Sequence, residues 1–130
     1  MIGYVMVGTN NLSASVSFYD KVLEPLGLIR VYIQKDMAAY ASKARQEAIE
    51  FYVCKPYNKE AATSGNGTMI AFKVETREVV KRFHVLGLLQ GGKNEGEPGA
   101  RPAENDPYYA YLRDLDGNKI CVFCSEYSSP

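Results

Sequence analysis

Residues that could do chemistry are few in this chain. Glu50 stands in "AIEFYVC" (48–54), one carboxylate in an otherwise apolar run. Such a group can orient a cation or a hydrogen-bond donor, or act as a general base if burial lifts its pKa. The plain alternative is a rim carboxylate in water, because charged side chains are seldom buried unpaired. Glu50 is therefore the one catalytic candidate, and a weak one. Cys121, in "KICVFC" (119–124), is a nucleophile only in an electropositive setting; free cysteine is more often a small buried apolar residue. His84, the only histidine, follows Phe83 at the edge of a helical face, a place for packing and a local bond. The ten tyrosines, among them Tyr40, Tyr108, Tyr109 and Tyr111, either line a pocket for planar molecules or serve as ordinary strand formers. The charged runs "RQE" (45–47) and "REVVKR" (77–82) read as solvated faces.

The elements that must position these residues occur twice. "MIGYVMVGTNNLSASVSFYDKVLEPLGL" (1–28) opens with an apolar strand. Asn10 or Asn11 caps a helix. Leu12, Val16, Tyr19, Leu23 and Leu26, with Phe18 and Val22, make its buried stripe. Pro25 and Gly27 end it. "GTMIAFKVETREVVKRFHVLGLLQGG" (67–92) repeats the plan, with Thr76 as cap, Val79, Val80, Phe83, Leu86 and Gly87 as the face, and Gly91 and Gly92 at the end. Tyr4 falls on Met69, Phe18 on Phe83 and Gly27 on Gly92, each at an offset of 65. Strands follow at 30–34, 37–42 and 47–54 in the first half, and near 93–97, 107–113 and 118–124 in the second. Asp116-Gly117 signals a tight turn before the last strand.

The fold class is α+β: two βαβββ modules whose sheets pair and leave a concave space between them. One domain spans 1–130, with module 1 at about 1–56, a linker at 57–66 and module 2 at about 67–126. The polar stretch 91–107 reads as a long loop of the kind that borders sites.

Composition narrows the function. The chain has 130 residues, 46% of them hydrophobic, and a formal net charge of zero. That length is one ordinary domain with one core. The balanced charge and the lack of a basic patch argue against a nucleic acid or an anionic membrane as partner. No apolar run reaches the ~20 residues of a membrane helix, and the N-terminus lacks the features of a signal peptide. Three cysteines, Cys54, Cys121 and Cys124, fit reduced thiols and a cytoplasmic location.

Strand alternation selects the residues that face the cavity. Val5, Val7, Ile70 and Phe72 suit packing under the helices, which turns Tyr4, Met6, Met69 and Ala71 the other way. Aligning "AIEFYVC" with "KICVFC" matches Ile49 to Ile120 and Glu50 to Cys121. Glu50, Tyr52, Cys121 and Phe123 then complete a lining that is aromatic and soft, with one carboxylate. Such a mostly apolar pocket with few polar groups is the usual form of a ligand site.

The opening "MIGYVMVGTNNLSASVSFYDKVLEPLG", then "GNGTMIAFKVETREVVKRFH", "GGKNEGEPGARP" and "YYAYLRDLDGNKICVFC" resemble the glyoxalase/bleomycin-resistance/dioxygenase family of the vicinal oxygen chelate superfamily. The likeness covers nearly the whole chain. "DLDGNK" is similar to the family's D-P-D-G-N turn, with Leu115 for proline. The resemblance implies two βαβββ modules forming a curved mixed sheet around a cavity, often in a homodimer. It also implies that the family's metal-ligand positions, one per strand on four strands, fall at Tyr4, Glu50, Met69 and Cys121. Only Glu50 is a usual ligand there. A thioether at Met69 is a poor donor to the hard or borderline ions such enzymes use.

The expectation is therefore a homodimeric protein without metal or other cofactor. It would bind a small apolar or aromatic molecule through Tyr4, Met6, Glu50, Tyr52, Met69, Cys121 and Phe123. The zero net charge gives no special attraction for a cationic drug of the bleomycin kind. The alternatives are a divalent-metal-dependent lyase, isomerase or dioxygenase of the same superfamily, and a metal-free enzyme with Glu50 as base.

Overall fold

The structure, a computed structural model, describes residues 1–100 and 107–125. Module 1 runs β1 (Val5–Gly8), α1 (Leu12–Val22), a 3-10 turn (Glu24–Leu26), β2 (Leu28–Ile33), β3 (Met37–Ser42) and β4 (Ile49–Cys54). Module 2 runs β5 (Ile70–Lys73), α2 (Arg77–Leu89), β6 (Lys93–Ala100), β7 (Tyr108–Arg113) and β8 (Lys119–Cys124).

Both helices begin where the sequence places their caps. The Asn11 side chain accepts from the Ala14 amide at 3.0 Å, and Thr76 Oγ1 accepts from the Val79 amide at 3.2 Å. Each bond satisfies an amide that would otherwise lack a partner at a helix start. Leu12, Val16, Phe18, Tyr19, Val22 and Leu23 are all buried, so the stripe read from the spacing is the one that packs. Gly27 closes the turn after α1 with φ 84°, a left-handed conformation. Its conformational counterpart after α2 is Gly91, at φ 100°, rather than the Gly92 expected from the repeat.

The strands form two four-stranded mixed sheets, ordered β1-β4-β3-β2 and β5-β8-β7-β6. In each sheet the first pair is parallel and the others antiparallel. The chain is thus two βαβββ modules, an α+β architecture, as read from the repeat. β6 departs from expectation. It extends over 93–100, beyond the short piece near 93–97 and into the stretch read as loop. Its pairing with β7 shifts register between Asn94 and Gly96 and again between Gly96 and Gly99. Bulges absorb the glycines and let a strand persist where the composition suggests a loop. Residues 101–106 of that stretch, and residue 126 at the expected end of module 2, lie outside the described residues.

One core serves both modules. Phe51 and Phe72, from opposite modules, meet with ring centroids 5.5 Å apart, and Phe18, Tyr19, Val80 and Phe83 join the same buried cluster. The Tyr19 hydroxyl donates to Asp114 Oδ2 at 2.6 Å, carrying α1 across to the turn between β7 and β8. Asp114 Oδ1 accepts from the amides of Asp116 and Asn118, both at 2.9 Å. Asp116 Oδ1 in turn accepts from the Asn10 amide at 2.8 Å. The "DLDGN" turn is therefore a clasp between the modules.

Candidate functional site

The helix-side residues Val7, Phe51, Val53, Ile120 and Val122 are buried. Alternation sends the intervening residues to the other face of each sheet, where the expected lining lies. On module 1, Met6 pairs with Tyr52, and Tyr52 with Ala39. Tyr4 meets Tyr52 edge to face, with centroids 4.9 Å apart. A hydrogen bond with Tyr32, then burial, raises the Tyr52 phenol above its ordinary pKa. Three phenols and Met6 thus share one surface. Tyr4 is 58% exposed and Met6 45%. Glu50 is exposed at the start of this strand, where the β3–β4 register slips between Tyr40 and Ala41.

On module 2, Ala71 pairs with Cys121 and Cys121 with Tyr111; Lys73 pairs with Phe123 and Phe123 with Tyr109. Tyr109 stacks on Phe123 at 5.3 Å and on Tyr111 at 5.9 Å. Lys119 Nζ lies 5.3 Å from the centre of the Tyr111 ring, which extends the row with a cation. Met69, just before β5, is 43% exposed. Cys121 sits on this face by register but is wholly buried. A ligand reaches its thiol only if covering groups move.

The expected lining therefore falls into a module 1 group (Tyr4, Met6, Glu50, Tyr52) and a module 2 group (Met69, Cys121, Phe123). The sequence reading did not single out Tyr32 or Lys119, and it left Tyr109 and Tyr111 undivided from the other tyrosines. The signal was present in "YYAYLR": Ala110 and Leu112 are buried, so Tyr109 and Tyr111 point the other way. By the same rule Tyr40 and Tyr108 are helix-side residues. The Tyr40 hydroxyl donates to Asp20 Oδ1 at 2.9 Å, and the Arg77 guanidinium lies 4.7 Å from the centre of the Tyr108 ring. His84 is buried, with Nε2 2.8 Å from Asn94 Oδ1, so it joins α2 to β6 as its position in the sequence suggested.

One alignment is corrected. Val5 pairs with Phe51 and Ile70 with Ile120. Because Ile70 is the counterpart of Val5, Ile120 corresponds to Phe51, and Cys121 to Tyr52 rather than to Glu50. The offset in the last strand of each module is 69. Below Phe51 the register slips: Ala41 pairs with Ile49 as Arg113 pairs with Lys119, so Glu50 is the extra, bulged residue and has no counterpart in module 2. The slip at the β3–β4 bulge is the kind of shift that strand composition does not announce.

The resemblance assigns the metal positions to the phenol of Tyr4, the carboxylate of Glu50, the thioether of Met69 and the fully buried thiol of Cys121, and under the corrected register the phenol of Tyr52 takes the place of the carboxylate in that set. Neither set fits a Mn, Fe, Ni or Zn site. Among the described residues no three His, Cys, Asp or Glu side chains gather as a metal would require. No helix among the described residues is long and apolar enough to cross a membrane.

No protein-family model matches the chain, and no curated protein matches it. Solved structures do. A glyoxalase/bleomycin resistance protein from Albidiferax ferrireducens T118 is 39% identical, with a TM-score of 0.85, over 95% of this chain and 98% of that one. A glyoxalase-related enzyme from Fulvimarina pelagi is 18% identical, with a TM-score of 0.74, over 95% and 87% of the two chains. A lactoylglutathione lyase from Agrobacterium tumefaciens is 16% identical, with a TM-score of 0.67, over 95% and 92%. The last two share the fold; the first shares the sequence over nearly its whole length. With this identity, the duplicated βαβββ architecture and the D-L-D-G-N clasp, the chain belongs to the glyoxalase/bleomycin resistance protein family.

Proposed function

We propose that this protein binds a small apolar or aromatic molecule without a metal, on the aromatic faces of its two sheets. The observation that carries the reading is the pair of aromatic surfaces, Tyr4–Tyr52–Tyr32 and Phe123–Tyr109–Tyr111, accompanied by the thioethers of Met6 and Met69, the latter where the resemblance places a metal ligand. Aromatic rings and methionines give polarisable walls that suit planar molecules. Glu50, exposed at the edge of the module 1 surface, would take a donor or cationic group of the ligand. Tyr4, Met6, Tyr32 and Met69 are exposed large hydrophobic residues. Apolar exposure concentrated in this way supports a homodimer, with the second copy closing the site over these faces.

Calorimetric titration of the untagged protein with a panel of uncharged aromatic compounds tests the proposal. Saturable binding is expected, weakened on the order of tenfold by Tyr52→Ala. Glu50→Gln should weaken only those ligands that bear a donor or a cation. A panel with no binder overturns the reading.

A further inference from the structure

Lys119 links the module 2 ring row to a second feature. Lys119 also lines a cleft of about 160 Å³ between β1, the inter-module linker and the start of β8, together with Met6, Thr63, Ser64, Thr68 and Asn118. Among the described residues no carboxylate lines this cleft and Lys119 forms no ion pair. The hydroxyls of Thr63, Ser64 and Thr68 make no hydrogen bond within the described protein. Among the described residues the cleft thus offers an ammonium without a carboxylate partner beside three partly or fully exposed hydroxyls that the protein does not engage, a setting that favours an anion. It is small, with room for a few water-sized groups, so it suits a head group rather than a ring system. The Tyr111 ring lies beside the ammonium, and Tyr109 and Phe123 continue from it.

We infer that this cleft is an anion subsite, and that the ligand is a planar aromatic carboxylate with its rings on the Tyr111–Tyr109–Phe123 row and its carboxylate at Lys119. This rests on the aromatic-ligand reading above and adds the charge of the ligand. The lining of module 1 carries the opposite charge, at the exposed Glu50. Only the module 2 side attracts an anion, so a carboxylate fixes the direction in which a planar molecule lies.

The test is calorimetry on the intact protein with two ligands of matched shape, 2-naphthoate and the uncharged 2-naphthamide, at low and high salt. Naphthoate is expected to bind about tenfold or more tighter, as a charge-assisted contact implies, and the margin should shrink as salt rises. Lys119→Met should abolish the margin while leaving naphthamide binding intact, and Lys119→Arg should retain it. Equal affinity of the two ligands for the unmodified protein, or a margin that survives Lys119→Met, overturns the anion subsite and leaves the aromatic reading standing. Binding of neither ligand overturns both.

Discussion

The Asn118 side-chain amide donates to the Gly8 carbonyl at 2.9 Å, tying the start of the last strand to the end of the first across 110 residues of sequence. The same nitrogen donates to Asp114 Oδ2 at 2.9 Å. Asn118→Ala leaves a strand-end carbonyl and a buried carboxylate each short of a donor. It should cost about 1–3 kcal/mol. Chemical denaturation at neutral pH checks this; an unchanged midpoint would show that the clasp contributes nothing to joining the modules.

Alkaline pH should unfold the protein through two core phenols. Burial raises the Tyr19 pKa well above its ordinary value, and Asp114 adds to the effect. Burial, then the bond to Asp20, raises Tyr40 in the same direction. A raised folded pKa means that the unfolded chain loses these protons first. Stability from this source is fully present below pH of about 10 and lost as pH climbs above it. Denaturation midpoints against pH, read beside phenolate absorbance, should show the fall. Tyr40→Phe should flatten it, and a variant that falls as steeply as the parent would contradict this assignment.

Much of this architecture was legible in the sequence because local rules and tertiary packing agree here. Asn11 and Thr76 cap the helices they were expected to cap, and Phe18 and Phe83, one repeat apart, are both buried. Features set by neighbouring strands were not legible. The register that matches Cys121 to Tyr52 is set by how β1 pairs with β4 and β5 with β8. The burial of Cys121 depends on what covers it. The cleft at Lys119 depends on where the linker crosses the seam between the modules. Alternation separates the helix-side residues of a regular strand from the rest, but it fails at a bulge such as that at Glu50 and carries no information about how far a face is covered.

The proposed homodimer is open to light scattering at micromolar concentration. A mass of about twice the 14.4 kDa chain is expected. Met6→Glu, placing a charge on the exposed module 1 face, should shift the mass toward one chain without unfolding it. A parent protein that already scatters as a single chain would contradict the dimer.

The central claim, binding without a metal, is tested most directly by elemental analysis of untagged protein purified without chelators. The account predicts that Mn, Fe, Ni and Zn each fall far below one equivalent per chain, since Tyr4, Met69 and Cys121 replace the ligands such a site needs. About one equivalent of any of these metals, lost on Glu50→Gln, would contradict it and point instead to a metal-dependent lyase, isomerase or dioxygenase.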